Sequence, residues 1–328
     1  GRILCGEWQH GPTRAGEELV VCRTDEHEIE VHCHGGRAAV EAIERSLVDA
    51  GCVSVSWQEI AHAQGDDPIA IAARIALAAA QTERTAAILL DQWHGALRAS
   101  LQRIAKDLHD GQADSAREQF VELKQHAIVG KHLTDPFVVV LAGLPNVGKS
   151  SLINALLGHA RAIVFDQPGT TRDVLTGLTA LDGWPVELSD TAGIRETSDI
   201  IEDEGVRAAR RHLAAADLIV LLRDVSAPSP AEESLLLEEF PGALVVANKC
   251  DLPTAAAHPV EDLAVSALTG AGLPELMARI VQRLVPVAPP PGAAVPFTSE
   301  QFDTVDAALS AVESGESGRA AALLAGLY

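Results

Sequence analysis

Gly143-Leu144-Pro145-Asn146-Val147-Gly148-Lys149-Ser150 carries the spacing G-x-x-x-x-G-K-S, and the chemistry that this spacing serves is phosphate binding. Glycines let successive backbone N–H groups curl around a β-phosphate. Asn146, Val147, Gly148, Lys149, Ser150 and Ser151 are therefore the expected phosphate contacts. The Lys149 ammonium can reach the β- and γ-phosphates and offset charge during transfer, and the Ser150 hydroxyl is suited to ligate Mg²⁺. A helix starting here would add the positive end of its dipole. The apolar run Phe137 to Ala142 before the loop and the helical stretch Ser151 to Leu157 after it supply the strand–loop–helix setting that such a loop requires.

Three further motifs follow in order. Asp190-Thr191-Ala192-Gly193 stands at the end of a second apolar run; there Asp190 can hold Mg²⁺ through water and the Gly193 N–H can face the γ-phosphate. Asn248-Lys249-Cys250-Asp251 follows the run Ala243 to Ala247. A carboxylate at Asp251 can accept both the N1–H and the 2-amino group of guanine, donors that adenine lacks as a pair. Ser266-Ala267-Leu268 would bring a backbone N–H, that of Ala267, to guanine O6. Together these motifs read as a GTP-binding domain that hydrolyses GTP to GDP and phosphate, and the ATPase reading fails on Asp251.

These motifs need a scaffold. Continuous apolar runs at Phe137 to Ala142, Val186 to Ser189, Leu218 to Arg223 and Ala243 to Ala247 fit buried parallel strands alternating with helices. Before them, Ile69 to Asp91, Gln92 to His109 and Asp114 to Ile128 have helical period. After them, Pro286 to Pro296 reads as a semi-rigid linker, and Ser299 to Val312 and Gly318 to Leu327 are helical again. Near the start, Glu18 to Arg23, Glu28 to His34 and Cys52 to Trp57 are strand-like, and Arg37 to Ala50 helical. The expected fold is an α/β P-loop GTPase domain (136–286) inserted in an α-helical bundle (61–135 and 287–328), with a small α+β N-terminal domain (1–60). The 328 residues allow two or three domains. A net charge of −21 argues against a broad nucleic-acid surface. No apolar run is long enough to span a membrane, and five scattered cysteines fit reduced thiols, so the expected location is cytoplasmic.

Residues 136–286 resemble the GTPase domain of the MnmE/TrmE tRNA-modification GTPases. Asp166-Gln167-Pro168-Gly169-Thr170-Thr171-Arg172-Asp173 is similar to that family's switch I, with its Gly-Thr-Thr-Arg-Asp core. The resemblance implies that Thr171 rather than Thr170 senses Mg²⁺. Ile194 stands where Ras-like enzymes have a water-orienting glutamine. In the family a glutamate twelve residues after the switch II aspartate acts instead, and here that residue is Glu202. Read by spacing alone, Glu202 is more readily a solvated charge on an acidic helix, and the resemblance reverses that. Asn146 occupies the position associated in the family with bound K⁺, a fixed charge doing the work of an arginine finger; by itself it reads as a polar loop residue. The resemblance further implies GTPase domains that dimerise across their switch regions, a constitutive homodimer, and a role with tRNA and a modification partner.

Glu30-Val31-His32-Cys33-His34-Gly35-Gly36 resembles the family's folate-binding N-terminal domain, and Thr85 to Gln92 a stretch of its helical domain. The chain departs from the family in three places: no Cys-x-Gly-Lys stands at its end, Glu7 to Glu18 is short, and Ile60 to Ile69 replaces an Arg-Ala-Phe-Leu segment. Folate binding and wobble-uridine chemistry are accordingly less firmly implied than GTP hydrolysis. A GTP-dependent switch of the same lineage, without modification chemistry, stays open. His32 and His34 share one strand face, so a zinc site with Cys5 or His27 is conceivable, though a structural strand end fits the spacing better. His94, His109 and His126 are expected to face solvent, and Trp8, Trp57, Trp93 and Trp184 to pack.

Overall fold

A computed structural model describes residues 3–8, 16–159, 176–190, 213, 215–227, 231–253 and 263–328. Switch I with Thr170 and Thr171, and also Gly193, Ile194 and Glu202, lie outside the described residues. The chain divides into two compact units, Gly1–Asp66 and Asp67–Tyr328.

In the first unit, β1 (Ile3–Trp8), β2 (Glu17–Arg23) and β3 (Ile29–Cys33) form an antiparallel sheet in that order. Helix α1 (Arg37–Asp49) follows. The strand expected at Cys52 to Trp57 does not form. Instead the Ser56 hydroxyl accepts the Glu59 N–H at 3.2 Å, and the Glu59 carboxylate accepts the Ser56 N–H at 2.6 Å. This reciprocal capping box starts α2 (Trp57–Gln64) and overrides the β-branched residues before it.

The second unit opens with α3 (Pro68–Leu77), α4 (Glu83–Trp93), α5 (Ala96–His109) and α6 (Ala113–Gly130). The single segment expected from Ile69 to Asp91 is two helices, because Thr82 and Thr85 cap a new start: the Thr82 hydroxyl accepts the Thr85 N–H at 3.2 Å. Leu97, Leu101, Ile104 and Leu108 of α5 recur at helical spacing and are buried. They pack in one core with Phe120 and Leu123 of α6 and with residues far along the chain, Val305 and Leu309 of α10 (Ser299–Glu313) and Leu324 of α11 (Ser317–Ala325).

Between these helices lies a six-stranded mixed sheet of β4 (Phe137–Gly143), β5 (Thr176–Leu181), β6 (Trp184–Asp190), β7 (Leu218–Asp224), β8 (Leu244–Asn248) and β9 (Leu263–Ala264), ordered β5-β6-β4-β7-β8-β9. All neighbours are parallel except β5 and β6. The antiparallel β5 is not among the expected strands. Asp182 (φ 48°) and Gly183 (φ 79°) make the two-residue turn to β6, and an Asp-Gly pair is a hairpin signal. The helices associated with the sheet are α7 (Lys149–His159), α8 (Ala231–Glu239) and α9 (Leu273–Leu284).

The stretch expected as a semi-rigid spacer from Pro286 to Pro296 is pinned to the helices. Asp91 accepts the Gly292 N–H at 2.8 Å, and the Gln92 amide both donates to Ala293 O at 3.0 Å and accepts the Val295 N–H at 3.1 Å. His126, expected in solvent, is buried because its Nδ1 meets Ala294 O at 2.9 Å. Proline removes donors from such a segment, but its carbonyls and remaining amides still have to be satisfied once buried. His94 and His109 are exposed as expected, and Trp184 is buried. The Arg84 guanidinium of α4 lies 5.1 Å from the centre of the Trp184 ring and pairs with Asp182 at 3.1 Å, so the helical segment grips the β5–β6 turn.

Candidate functional site

Parallel strands deliver their carboxyl ends to one edge of a sheet, where ligands of such folds bind. Here that edge holds Gly143 of β4, Asp190 of β6, Asp224 of β7 and Asn248 of β8.

The phosphate loop leaves β4 through Gly143 at φ 144°, where a Cβ would stand 2.6 Å from Leu222 O, so the close approach of β7 excludes a side chain. The loop turns through Asn146 (φ 65°) and Gly148 (φ 95°) into α7. Asn146 is exposed at the loop, Val147 is buried beneath it and Ser151 is exposed on α7. Lys149 is buried, and its ammonium donates to Gly143 O and Leu144 O, both at 3.2 Å. The ammonium is thus positioned at the loop carbonyls, where anionic phosphate oxygens would be strong partners.

The Ser150 hydroxyl donates to Asp190 Oδ2 at 2.8 Å. Strand register puts them there: Leu141 of β4 pairs with Asp190, which ends β6. An alcohol oxygen and a buried carboxylate in contact make a hard-oxygen donor set of the kind Mg²⁺ takes alongside phosphate and water. The expected Ser150 and Asp190 are thus brought together. Thr171, Gly193 and Glu202 lie outside the described residues.

The base-side motifs converge as well. The fully buried Asn248 side chain donates to Val147 O at 2.8 Å and accepts the Ala267 N–H at 3.2 Å. One amide thereby staples the phosphate loop to the Ser266-Ala267 loop. The Ser266 hydroxyl donates to Asp251 Oδ1 at 2.5 Å, while Asp251 itself is exposed. Sequence reasoning gave Ser266 and Ala267 a backbone role toward guanine; the structure adds that the Ser266 side chain orients Asp251. Lys249 has φ 66°, and its ammonium meets Asp224 Oδ2 at 2.5 Å. Asp224 belongs to no motif picked out in the sequence. Its position at the end of an apolar run, like that of Asp190, was the available signal.

Comparison with known proteins places this geometry in a family. The family model described as 50S ribosome-binding GTPase matches residues 138–249. The tRNA modification GTPase MnmE of Synechococcus sp. strain RCC307 is 35% identical over 331 residues, covering 91% of this chain and 72% of that protein. The chain belongs to the MnmE family of tRNA modification GTPases. The MnmE of Synechococcus sp. strain CC9605 is also 35% identical, over 292 residues, and there the match covers 79% of this chain but 65% of the relative. That of Xanthomonas campestris pv. campestris is 46% identical over 168 residues, half of this chain and 37% of the relative. The chain thus spans about two thirds of the length of its MnmE relatives. It is a GTPase of this family, with a P-loop domain on a mixed sheet and a mostly helical remainder. Among the described residues no helix is long and apolar enough to cross a membrane.

Proposed function

We propose that the protein hydrolyses GTP by a Mg²⁺- and K⁺-assisted, dimerising cycle that serves wobble-uridine modification of tRNA. The observation that carries the nucleotide assignment is the Asn248 staple. It joins a phosphate loop to an acidic reader, Asp251, whose carboxylate Ser266 holds in place. The tRNA role rests on the family relatives, the tRNA modification GTPases.

In the proposed site the loop amides from Asn146 to Ser151 cradle the phosphates, and Lys149 exchanges its carbonyl partners for β- and γ-phosphate oxygens. Ser150, Asp190 and Thr171 would hold Mg²⁺, and Asn146 would hold K⁺; both ions, when bound, offset charge on the transferring phosphoryl group. The Gly193 N–H would face the γ-phosphate. Glu202 would orient the attacking water indirectly, since Ile194 has no polar atom to do so. Asp251, Lys249 and the Ala267 N–H select guanine. The GTPase domain is inserted between two halves of a helical bundle, and helices from before and after the sheet share one core. That arrangement gives nucleotide-dependent pairing of GTPase domains a lever on the remainder of a homodimer.

Turnover in KCl should exceed that in NaCl at least about tenfold, the size of losing part of one fixed positive group at the phosphoryl oxygens. Equal rates in the two salts would remove Asn146 from the mechanism. Glu202→Ala should leave GTP affinity intact and lower kcat by about 10²–10⁴-fold, the range for one positioned proton-handling group. Unchanged turnover would return Glu202 to the role of a solvated charge.

A further inference from the structure

The Asp224 carboxylate uses its two oxygens for different tasks. Oδ1 accepts the Ser226 N–H at 2.9 Å and the Ser226 hydroxyl at 2.6 Å, which fixes the plane of the group at the end of β7. Oδ2 is left for the Lys249 ammonium at 2.5 Å. Partial burial alone would push this carboxyl up, yet the bonds from Lys249 and Ser226 outweigh it and hold the group below its ordinary range, so it is ionised near neutrality. The backbone keeps the two elements in register as well: Asp224 pairs with Asn248, and the Val225 N–H donates to Asn248 O at 3.1 Å.

Lys249 lies between Asn248, which staples the phosphate loop, and Asp251, the exposed carboxylate. Its left-handed backbone (φ 66°) costs about 1–2 kcal/mol for a residue with a Cβ, so this turn has to be held by contacts elsewhere. With the backbone fixed by the turn and the ammonium fixed on Asp224, the four-carbon stem is tethered at both ends. A tethered aliphatic stem beside a guanine-edge reader is a flat apolar surface for one face of a purine.

We propose that Asp224 is a positioning residue for guanine-nucleotide binding: it anchors the Lys249 ammonium so that the lysine stem is preorganised against the base face while Asp251 takes the base edge. Asp224 touches neither base nor phosphate and acts through Lys249. Its contribution therefore falls on affinity, equally for GTP and GDP, and leaves the chemical step alone. This inference rests on the GTP-binding reading above.

The test is a fluorescent-GDP titration with GTP turnover on the full chain, for wild type, Asp224→Asn, Asp224→Glu, Lys249→Met and the Asp224→Asn/Lys249→Met double variant. Asparagine keeps an oxygen for Ser226 but turns an NH₂ toward the ammonium, so β7 stays capped while the anchor is lost. Asp224→Asn is expected to weaken GDP binding and raise KM for GTP about tenfold, the effect of one charge-assisted hydrogen bond. It should leave kcat within about twofold, because binding lost equally from ground and transition states does not touch the chemical step. Glutamate should restore part of the affinity, and the double variant should bind no more weakly than Lys249→Met alone, since both changes break one linkage. Unaltered GDP affinity in Asp224→Asn, additive losses in the double variant, or a fall in kcat at constant KM would each overturn the proposal. A wild-type protein that failed to bind GDP would instead sink the nucleotide reading itself.

Discussion

Lys149→Ala is expected to lower kcat/KM for GTP by about 10²–10³-fold, the cost of removing one preorganised charge from a phosphoryl-transfer site. An ammonium is expensive to remove from water, yet Lys149 is only 8% exposed and rests on two backbone carbonyls at 3.2 Å. Anionic oxygens entering the loop would meet a charge already positioned there and so gain a strong partner. Alanine removes that partner and leaves Gly143 O and Leu144 O without their donor. GTP turnover measured alongside GDP affinity checks this; a variant with wild-type kcat/KM would show that the loop does not handle the reacting phosphate.

Gly148→Ala should weaken guanine-nucleotide binding by about 10²-fold or more, because two costs add. The backbone at φ 95° disfavours any residue with a Cβ by about 1–2 kcal/mol. The new Cβ would stand 2.5 Å from Asn248 Nδ2, a contact that forces the staple to move. Asn248 is the group that ties Val147 O to the Ala267 N–H, so its displacement disturbs the phosphate loop and the base-side loop at once. Gly158→Ala is the matched control: it lies in α7 at an exposed position where a Cβ would meet nothing within 4 Å. Helix propensity predicts it to be neutral or up to about 1 kcal/mol stabilising. Equal GDP affinity in the two glycine variants would contradict the account of the loop.

The motifs around the phosphate loop were legible in the sequence for a physical reason. Backbone–phosphate contact and base-edge reading demand fixed residue types at fixed spacing, so Gly143 to Ser150, Asp190, Asn248 to Asp251 and Ser266-Ala267 stand out along the chain, and β4, β6, β7 and β8 follow from their apolar runs. Contacts set by three-dimensional packing left weaker traces. The capping box at Ser56 and Glu59 turned an apparent strand into a helix, and the Asp182-Gly183 hairpin had to be recognised before β5 could be. His126 looked solvent-facing along its own helix, because its partner, Ala294 O, lies 168 residues away in a stretch that proline and alanine made look like a spacer. Asp224 was passed over for the same reason: its worth comes from Lys249, which it meets only once β7 and β8 are paired.

Nucleotide selectivity of the wild-type protein tests the central claim most directly. With Mg²⁺ and K⁺ present, kcat/KM should be measured for GTP and ATP in parallel. Asp251 would pair with two donors of guanine that adenine lacks, and the loss of two charge-assisted hydrogen bonds would disfavour adenine by about 10³-fold. A preference for GTP of that size is the predicted result; comparable hydrolysis of ATP, or no GTP turnover at all, would contradict it.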